Sequence, residues 1–218
     1  MNKKSVFAFV LASFLISTAA FAQNLNKVGE VLTKIDEAGK NIETLEVNFR
    51  QTMTFTETME SQVSAGTMFF MRPMDVLIHK KTPQEQKIYI KGDLMTIYTP
   101  KNAQAIISPA NKTGIDDFSP VSFINFGGNW KNLQKNNVIN YISESETDYV
   151  LEIYPKKSRT WTMVVFIAKE GLNPSKITLN SDTLSIEVIL LNYKTDQKMD
   201  KNTFIFNAPS GVEVIKLK

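Results

Sequence analysis

Gly66-Thr67-Met68-Phe69-Phe70-Met71-Arg72-Pro73-Met74-Asp75-Val76-Leu77-Ile78 decides how the rest of the chain is read. It has the two-residue period of extended chain, in which successive side chains point to opposite faces of a sheet. Met68, Phe70, Met74, Val76 and Ile78 share a parity with Arg72, so one oily face carries one cation. Burying an unpaired guanidinium costs several kcal/mol, which leaves two arrangements. In one, Arg72 ends an edge strand, with Pro73 stopping the ladder and the cation reaching water. In the other, the face is an apolar site and Arg72 finds partners such as the backbone carbonyls at a helix end.

The same period governs the stretch before it. Leu45, Val47, Phe49, Gln51, Met53 and Phe55 alternate with Glu46, Asn48, Arg50, Thr52 and Thr54, the signature of a half-buried strand with a solvated outer face. Upstream the period changes to that of a helix. Between Asn24 and Glu43, Leu25, Val28, Val31, Leu32, Ile35, Ala38 and Ile42 recur at spacings of three and four, with Lys27, Glu30, Lys34, Asp36 and Lys40 elsewhere on the wheel. This predicts one amphipathic helix packed on the sheet, with no comparable long helix after it.

Downstream, strands are predicted at Val63–Met71, Met74–His79, Gln86–Lys91, Leu94–Thr99 and Ala103–Ser108, with Gly92-Asp93 as a tight hairpin. Pro109–Asn137 breaks the rhythm: a polar, turn-rich stretch precedes the apolar Val121-Ser122-Phe123-Ile124-Asn125-Phe126 and then Gly127-Gly128. That pattern predicts one or two short helices covering the sheet. Strands resume at Val138–Ser143, Tyr149–Tyr154, Thr160–Ala168, Ser175–Asn180, Leu184–Tyr193 and Thr203–Phe206. Thr160–Ala168 and Ile186–Leu191 are nearly continuous apolar runs, which suit strands covered on both faces. Short strands at regular spacing imply an antiparallel meander.

The chain opens like a secretory signal, with Lys3 and Lys4, an apolar run from Val6 to Ile16, and Ala20-Phe21-Ala22 as a cleavage site. Residues 1–22 are expected to be cleaved, leaving residues 23–218 as one exported, monomeric domain. Two of the 25 basic residues leave with the signal, so 23 face 22 acidic residues, a balance of about +1. That charge gives no support for binding nucleic acid. Cysteine is absent, so the fold rests on its core without disulfides, and no thiol is available to carry a lipid anchor.

Catalytic chemistry has little to work with. One histidine, His79, and no cysteine exclude thiol catalysis and a histidine-based zinc centre. No G-x-S-x-G elbow or glycine-rich phosphate loop occurs, so no catalytic residue, metal or cofactor is expected. Soft apolar side chains are abundant instead. Met53, Met59, Met68, Met71, Met74 and Met95, with many of the 14 phenylalanines, fall in or beside the first strands, and flexible methionines suit ligands of variable shape. The plain alternative is ordinary core packing.

Several of these segments together resemble the periplasmic outer-membrane lipoprotein carriers of the LolA/LolB type. They are Phe49-Arg50-Gln51, the Gly66 to Arg72-Pro73 unit, the Gly92-Asp93 turn leading to Tyr98, and Phe204-Ile205-Phe206-Asn207-Ala208-Pro209-Ser210-Gly211-Val212-Glu213-Val214. The resemblance implies a mainly β (α+β) fold, a strongly curved antiparallel sheet forming an incomplete barrel. An N-terminal helix and a short helical lid would cover it. It also implies a carrier for lipoprotein acyl chains, taken from an inner-membrane ABC complex to the outer membrane, with an outer-membrane receptor as a further partner.

The implied acyl-chain cavity comprises Leu45, Val47, Phe49, Met53, Met68, Phe70, Met74, Val76, Ile78 and Tyr98. The implied lid and latch comprise Arg72 with Leu25, Val28, Leu32, Ile35, Phe123, Ile124 and Phe126. Because the receptor type is lipidated and this chain lacks cysteine, the soluble carrier is the nearer resemblance. Where the family often has tryptophan, this chain has Ile78 and Thr96. An envelope sensor or general lipid binder on the same fold is the alternative.

Overall fold

The computed structural model describes residues 26–110 and 130–217. Helix α1 covers residues 26–39, a rod about 21 Å long. Val28, Val31, Leu32 and Ile35 are its buried stripe. The helix stops at the Gly39 turn, short of the expected Glu43, because Ile42 and Glu43 already lead into the first strand. Residues 1–25, including the expected signal and Leu25, lie outside the described residues.

Among the described residues, twelve strands follow. They are β1 (Thr44–Phe55), β2 (Ser61–Met71), β3 (Asp75–Thr82), β4 (Gln86–Lys91), β5 (Leu94–Thr99), β6 (Gln104–Pro109), β7 (Asn137–Glu144), β8 (Asp148–Pro155), β9 (Trp161–Ala168), β10 (Pro174–Ser181), β11 (Leu184–Thr195) and β12 (Glu213–Lys216). A second helix, α2 (Trp130–Asn136), precedes β7, and its Trp130 is buried. Val121–Phe126, the expected lid segment, lies outside the described residues.

All strands join one sheet in the order β12-β6-β5-β4-β3-β2-β1-β11-β10-β9-β8-β7. Two antiparallel meanders, β1–β6 and β7–β11, are joined by the long β1–β11 pairing, in which Phe55 faces Leu184 and Leu45 faces Thr195. The sheet is curved and open, never closing into a barrel. Register breaks in the pairings β1–β11, β2–β3, β9–β10 and β7–β8 supply bends, since an extra residue on one strand kinks it and increases its twist.

Alternation sorts the side chains onto two faces. On the inner face, Leu45, Phe70, Val76, Ile90 and Met95 form one cross-strand row and Val47, Met68, Ile78, Ile88 and Ile97 the next. Across β8 to β11, Leu151, Val165, Ile177 and Val188 continue that face, and all four are essentially inaccessible. These residues and the stripe of α1 form one core. Burial in β9 and β11 alternates rather than running on both faces. The outer apolar residues Val164 and Phe166 are half-exposed, Phe166 lying beneath the Lys176 ammonium at 5.6 Å.

The end of the chain departs from expectation. Thr203–Phe206 is not a strand: Lys201–Phe204 is a 3-10 turn, N-capped by the Asp200 carboxylate, which accepts from Asn202 N at 2.9 Å. Phe204 is 1% exposed against β3 and β4, and the Phe206 ring packs on Tyr89 and Tyr98 at 5.7 and 5.3 Å. The chain thus crosses the outer face of β3 to β5 before β12 adds in parallel beside β6. This edge pairing is parallel, and the other ten described pairings of the sheet are antiparallel, as the sequence predicts.

Candidate functional site

Arg72 stands in the turn between β2 and β3, one residue beyond the last ladder pair, Met71 with Asp75. Its Nε donates to the Ile42 carbonyl at 2.6 Å, and its Nη2 donates to the carbonyls of Gly39 and Lys40 at 2.8 and 2.9 Å. The Arg72 amide adds a bond to the Glu43 carbonyl at 2.9 Å. The last carbonyls of a helix have no partner within it and carry the negative end of its dipole, so a planar cation with several donors is the group suited to them. Glu43 stands 3.7 Å from the guanidinium but its side chain is 72% exposed, so water weakens that pairing. The main-chain carbonyls at and just past the end of α1 hold the cation, a helix-end clasp.

The other end of α1 is fastened by charge. Lys27 lies 3.5 Å from Glu30 and 3.9 Å from Glu144 of β7, and Lys169 lies 3.2 Å from Glu144. The ammonium groups of Lys27, Lys34 and Lys169 surround the Tyr149 ring at 6.0, 5.7 and 5.0 Å. Hydrogen bonding from Lys169 holds the Glu144 carboxyl below its ordinary range, and the bond from Lys34 does the same for Glu30. The helix therefore runs from β7 and β8 at one end to the β2–β3 turn at the other.

Most of the expected cavity residues share the inner face. Leu45, Val47, Phe49, Met68, Phe70, Val76 and Ile78 are all at most 7% exposed, and Met53 is half-buried in the same parity. Val28, Leu32 and Ile35 of the expected lid face them from α1. Phe123, Ile124 and Phe126 lie outside the described residues.

Two expected residues are elsewhere. Met74 is 60% exposed, because the chain reverses at 72–74 and the strand period does not run through the turn. Tyr98 pairs in register with Lys87 and Ala105, one residue out of step with the inward Ile88 and Ile97. It therefore points to the outer face, beneath Phe206. Thr96 shares that outer parity, whereas Ile78 lies on the inner face.

Ile88, Ile90, Ile97 and Ile106 were not singled out from sequence, yet they extend the inner face across β4 to β6. Unlike the residues of β8 to β11, these four remain only partly buried. The strand parity of β4 to β6 was the signal that could have found them. The inner face thus has a sealed half under α1 and an apolar half less completely covered. Among the described residues, no group of His, Cys, Asp and Glu could hold a metal ion, and no helix is long and apolar enough to cross a membrane. His79 lies on the outer parity with its Nε2 2.9 Å from Glu85.

Comparison with known proteins agrees with this architecture. The outer-membrane lipoprotein carrier protein of Pasteurella multocida is 24% identical over 215 residues, spanning 98% of this chain and 97% of that protein. The protein of the same name from Shewanella oneidensis is 26% identical over 216 residues, spanning 97% and 96%. Among solved structures, an uncharacterized conserved protein of Thermus thermophilus superposes with a TM-score of 0.60 at 9% identity, covering 88% of this chain and 99% of that one. MucB superposes at 0.53 with 12% identity, covering 87% and 66%. The family model described as outer membrane lipoprotein carrier protein LolA matches residues 40–207, and the chain belongs to that family.

Proposed function

We propose that this protein is a periplasmic carrier that holds the acyl chains of lipoproteins against the inner face of its sheet. It would receive them from an inner-membrane ABC complex and deliver them to the outer membrane or a receptor there. Residues 1–22 serve as the export signal in this reading, and 23–218 as the carrier domain. The observation that carries it is the Arg72 clasp. One guanidinium ties the end of an apolar-faced helix to the rim of an apolar sheet through main-chain carbonyls, a joint that can open without unfolding the sheet.

The magnitudes suit a carrier. An acyl chain hides about 0.8 kcal/mol per methylene, so three chains of about 15 methylenes would expose roughly 36 kcal/mol of unfavourable contact in water. Escorted transfer is therefore required, and release requires a site that grips less tightly than a bilayer. An incompletely covered isoleucine face and a polar clasp supply both properties.

Native mass spectrometry and lipid extraction of the mature protein from the envelope fraction test the assignment. Co-purified triacylated lipoproteins are expected. Free phospholipid alone, even when a lipoprotein is overproduced, would move the function to a general lipid binder or an envelope sensor. Arg72→Leu tests the clasp: loading is expected to persist while transfer to acceptor membranes slows, and wild-type transfer rates would refute that role.

A further inference from the structure

Lys80 breaks the chemistry of the inner face. Alternation along β3 places Val76, Ile78 and Lys80 inward, and Lys80 pairs in register with Gly66 on β2 and Gln86 on β4. Among the described residues of β1 to β6 it is the one charged side chain at an inward position. Two residues separate it from the row of Ile78 and Ile88, about 7 Å along the strand. Beyond it, Ser64 and Gln51 share the inward parity. The apolar floor thus gives way to a polar rim carrying one cation, at the end of the sheet away from Arg72.

Gly66 has no side chain, and the place of a Cβ there is taken by β3 main chain, 2.1 Å from the His79 carbonyl oxygen, so no side chain at this register position can stand beside Lys80. Gln86 directs its Nε2 to Thr99 Oγ1 at 3.4 Å. Nearby side chains are matched: His79 Nε2 lies 2.9 Å from the Glu85 carboxylate, Lys87 lies 3.7 Å from it, and Lys91 meets Asp75 at 3.2 Å. Lys80 has no ion pair or hydrogen bond of its side chain among the described residues. Burial pushes its ammonium below the ordinary lysine range, a cost that a bound anion would offset.

We propose that Lys80, standing inward beside the side-chain-free Gly66, and the Gln86 amide form a headgroup subsite. It would take an anionic group, phosphate or carboxylate, joined within a few bonds to acyl chains lying on the isoleucine floor. This rests on the acyl-carrier reading and adds a polarity to it: chains toward α1 and Arg72, charge toward Lys80. The anion can come from a phospholipid headgroup or from an acidic residue beside the lipidated end of a polypeptide.

Binding of matched probes to the mature protein distinguishes these. Palmitoyl lysophosphatidylglycerol is compared with monopalmitoylglycerol, and a triacylated peptide bearing Asp next to its lipidated residue is compared with its Asn counterpart, all by displacement of a fluorescent fatty acid. Wild type is expected to favour at least one anionic partner by about tenfold, the scale of one charge-assisted hydrogen bond. Lys80→Met should abolish that preference while leaving the neutral probe's affinity unchanged, and Lys80→Arg should retain most of it. The pair that shows the loss identifies the source of the anion. Equal binding within each pair in wild type, or a preference that survives in Lys80→Met, would overturn the subsite and leave the carrier reading intact. Failure of every probe to displace would overturn both. Lys80→Met is also expected to melt higher than wild type without ligand, which separates loss of the subsite from loss of fold.

Discussion

Gly66 illustrates how a single atom fixes the site. The register break between Ala65 and Gly66 brings β3 backbone where a side chain would stand. Because the obstacle is main chain rather than a flexible side-chain end, Gly66→Ala is expected to cost about 3 kcal/mol, the upper part of the range for overpacking, measured by urea denaturation. Tyr193 makes a second test at this scale. Its hydroxyl donates to the Pro174 carbonyl, and burial pushes its pKa far above the ordinary tyrosine value. A raised folded-state pKa stabilises below the unfolded value, near 10, and that contribution is lost as pH climbs beyond it. Lys80 acts with the opposite sign, since its depressed folded pKa makes stability rise with pH up to the ordinary lysine value. Tyr193→Phe should flatten the alkaline loss of stability above pH 10 and cost about 1 kcal/mol at neutral pH for the missing hydrogen bond. An unchanged alkaline profile would rule out Tyr193 as its source.

Among the elements, the C-terminal crossing is held chiefly by Phe204, which is 1% exposed between the 3-10 turn and strands β3 and β4. Phe204→Ala should lower stability by about 3–5 kcal/mol, the usual cost of emptying such a site. Its denaturation midpoint should fall with little change in slope, and a midpoint within error of wild type would mean the crossing is merely draped on the sheet. This element also marks what the sequence could convey. Strand β1 was legible because apolar and polar residues alternate along it, and β2 to β5 because short apolar runs rich in β-branched and aromatic residues are bounded by turn residues. The Thr203–Phe206 stretch has the same local composition, and only the position of Phe204 against a distant sheet face makes it a turn. Tyr98 was misplaced for a related reason: both faces of β3 to β5 are apolar where the crossing covers the outer one, so parity alone could not say which face was the site. Arg72 was legible as an anomaly, a cation in an oily strand, although its three carbonyl partners lie more than 29 residues away in sequence.

At the scale of the molecule, the two halves of the sheet have different tasks. Val28, Val31, Leu32 and Ile35 bury α1 on a core that includes Leu151, Val165 and Ile177, and full burial of four such side chains is worth roughly 6–12 kcal/mol. Lifting the whole helix is therefore too costly for the loss of one clasp to achieve. Freeing only its Arg72 end exposes far less, so cargo is expected to enter beneath the Gly39–Glu43 end while the ion pairs and rings near Tyr149 hold the other. Hydrogen exchange with and without palmitoyl lysophosphatidylglycerol measures this directly. Amides of residues 36–43 should lose protection on loading, those of β8 to β10 should not change, and Arg72→Leu should show the loaded pattern without ligand. Protection lost evenly along α1 would mean that the helix departs as a body, and protection gained at residues 36–43 would make the clasp a fixed joint rather than the point of entry.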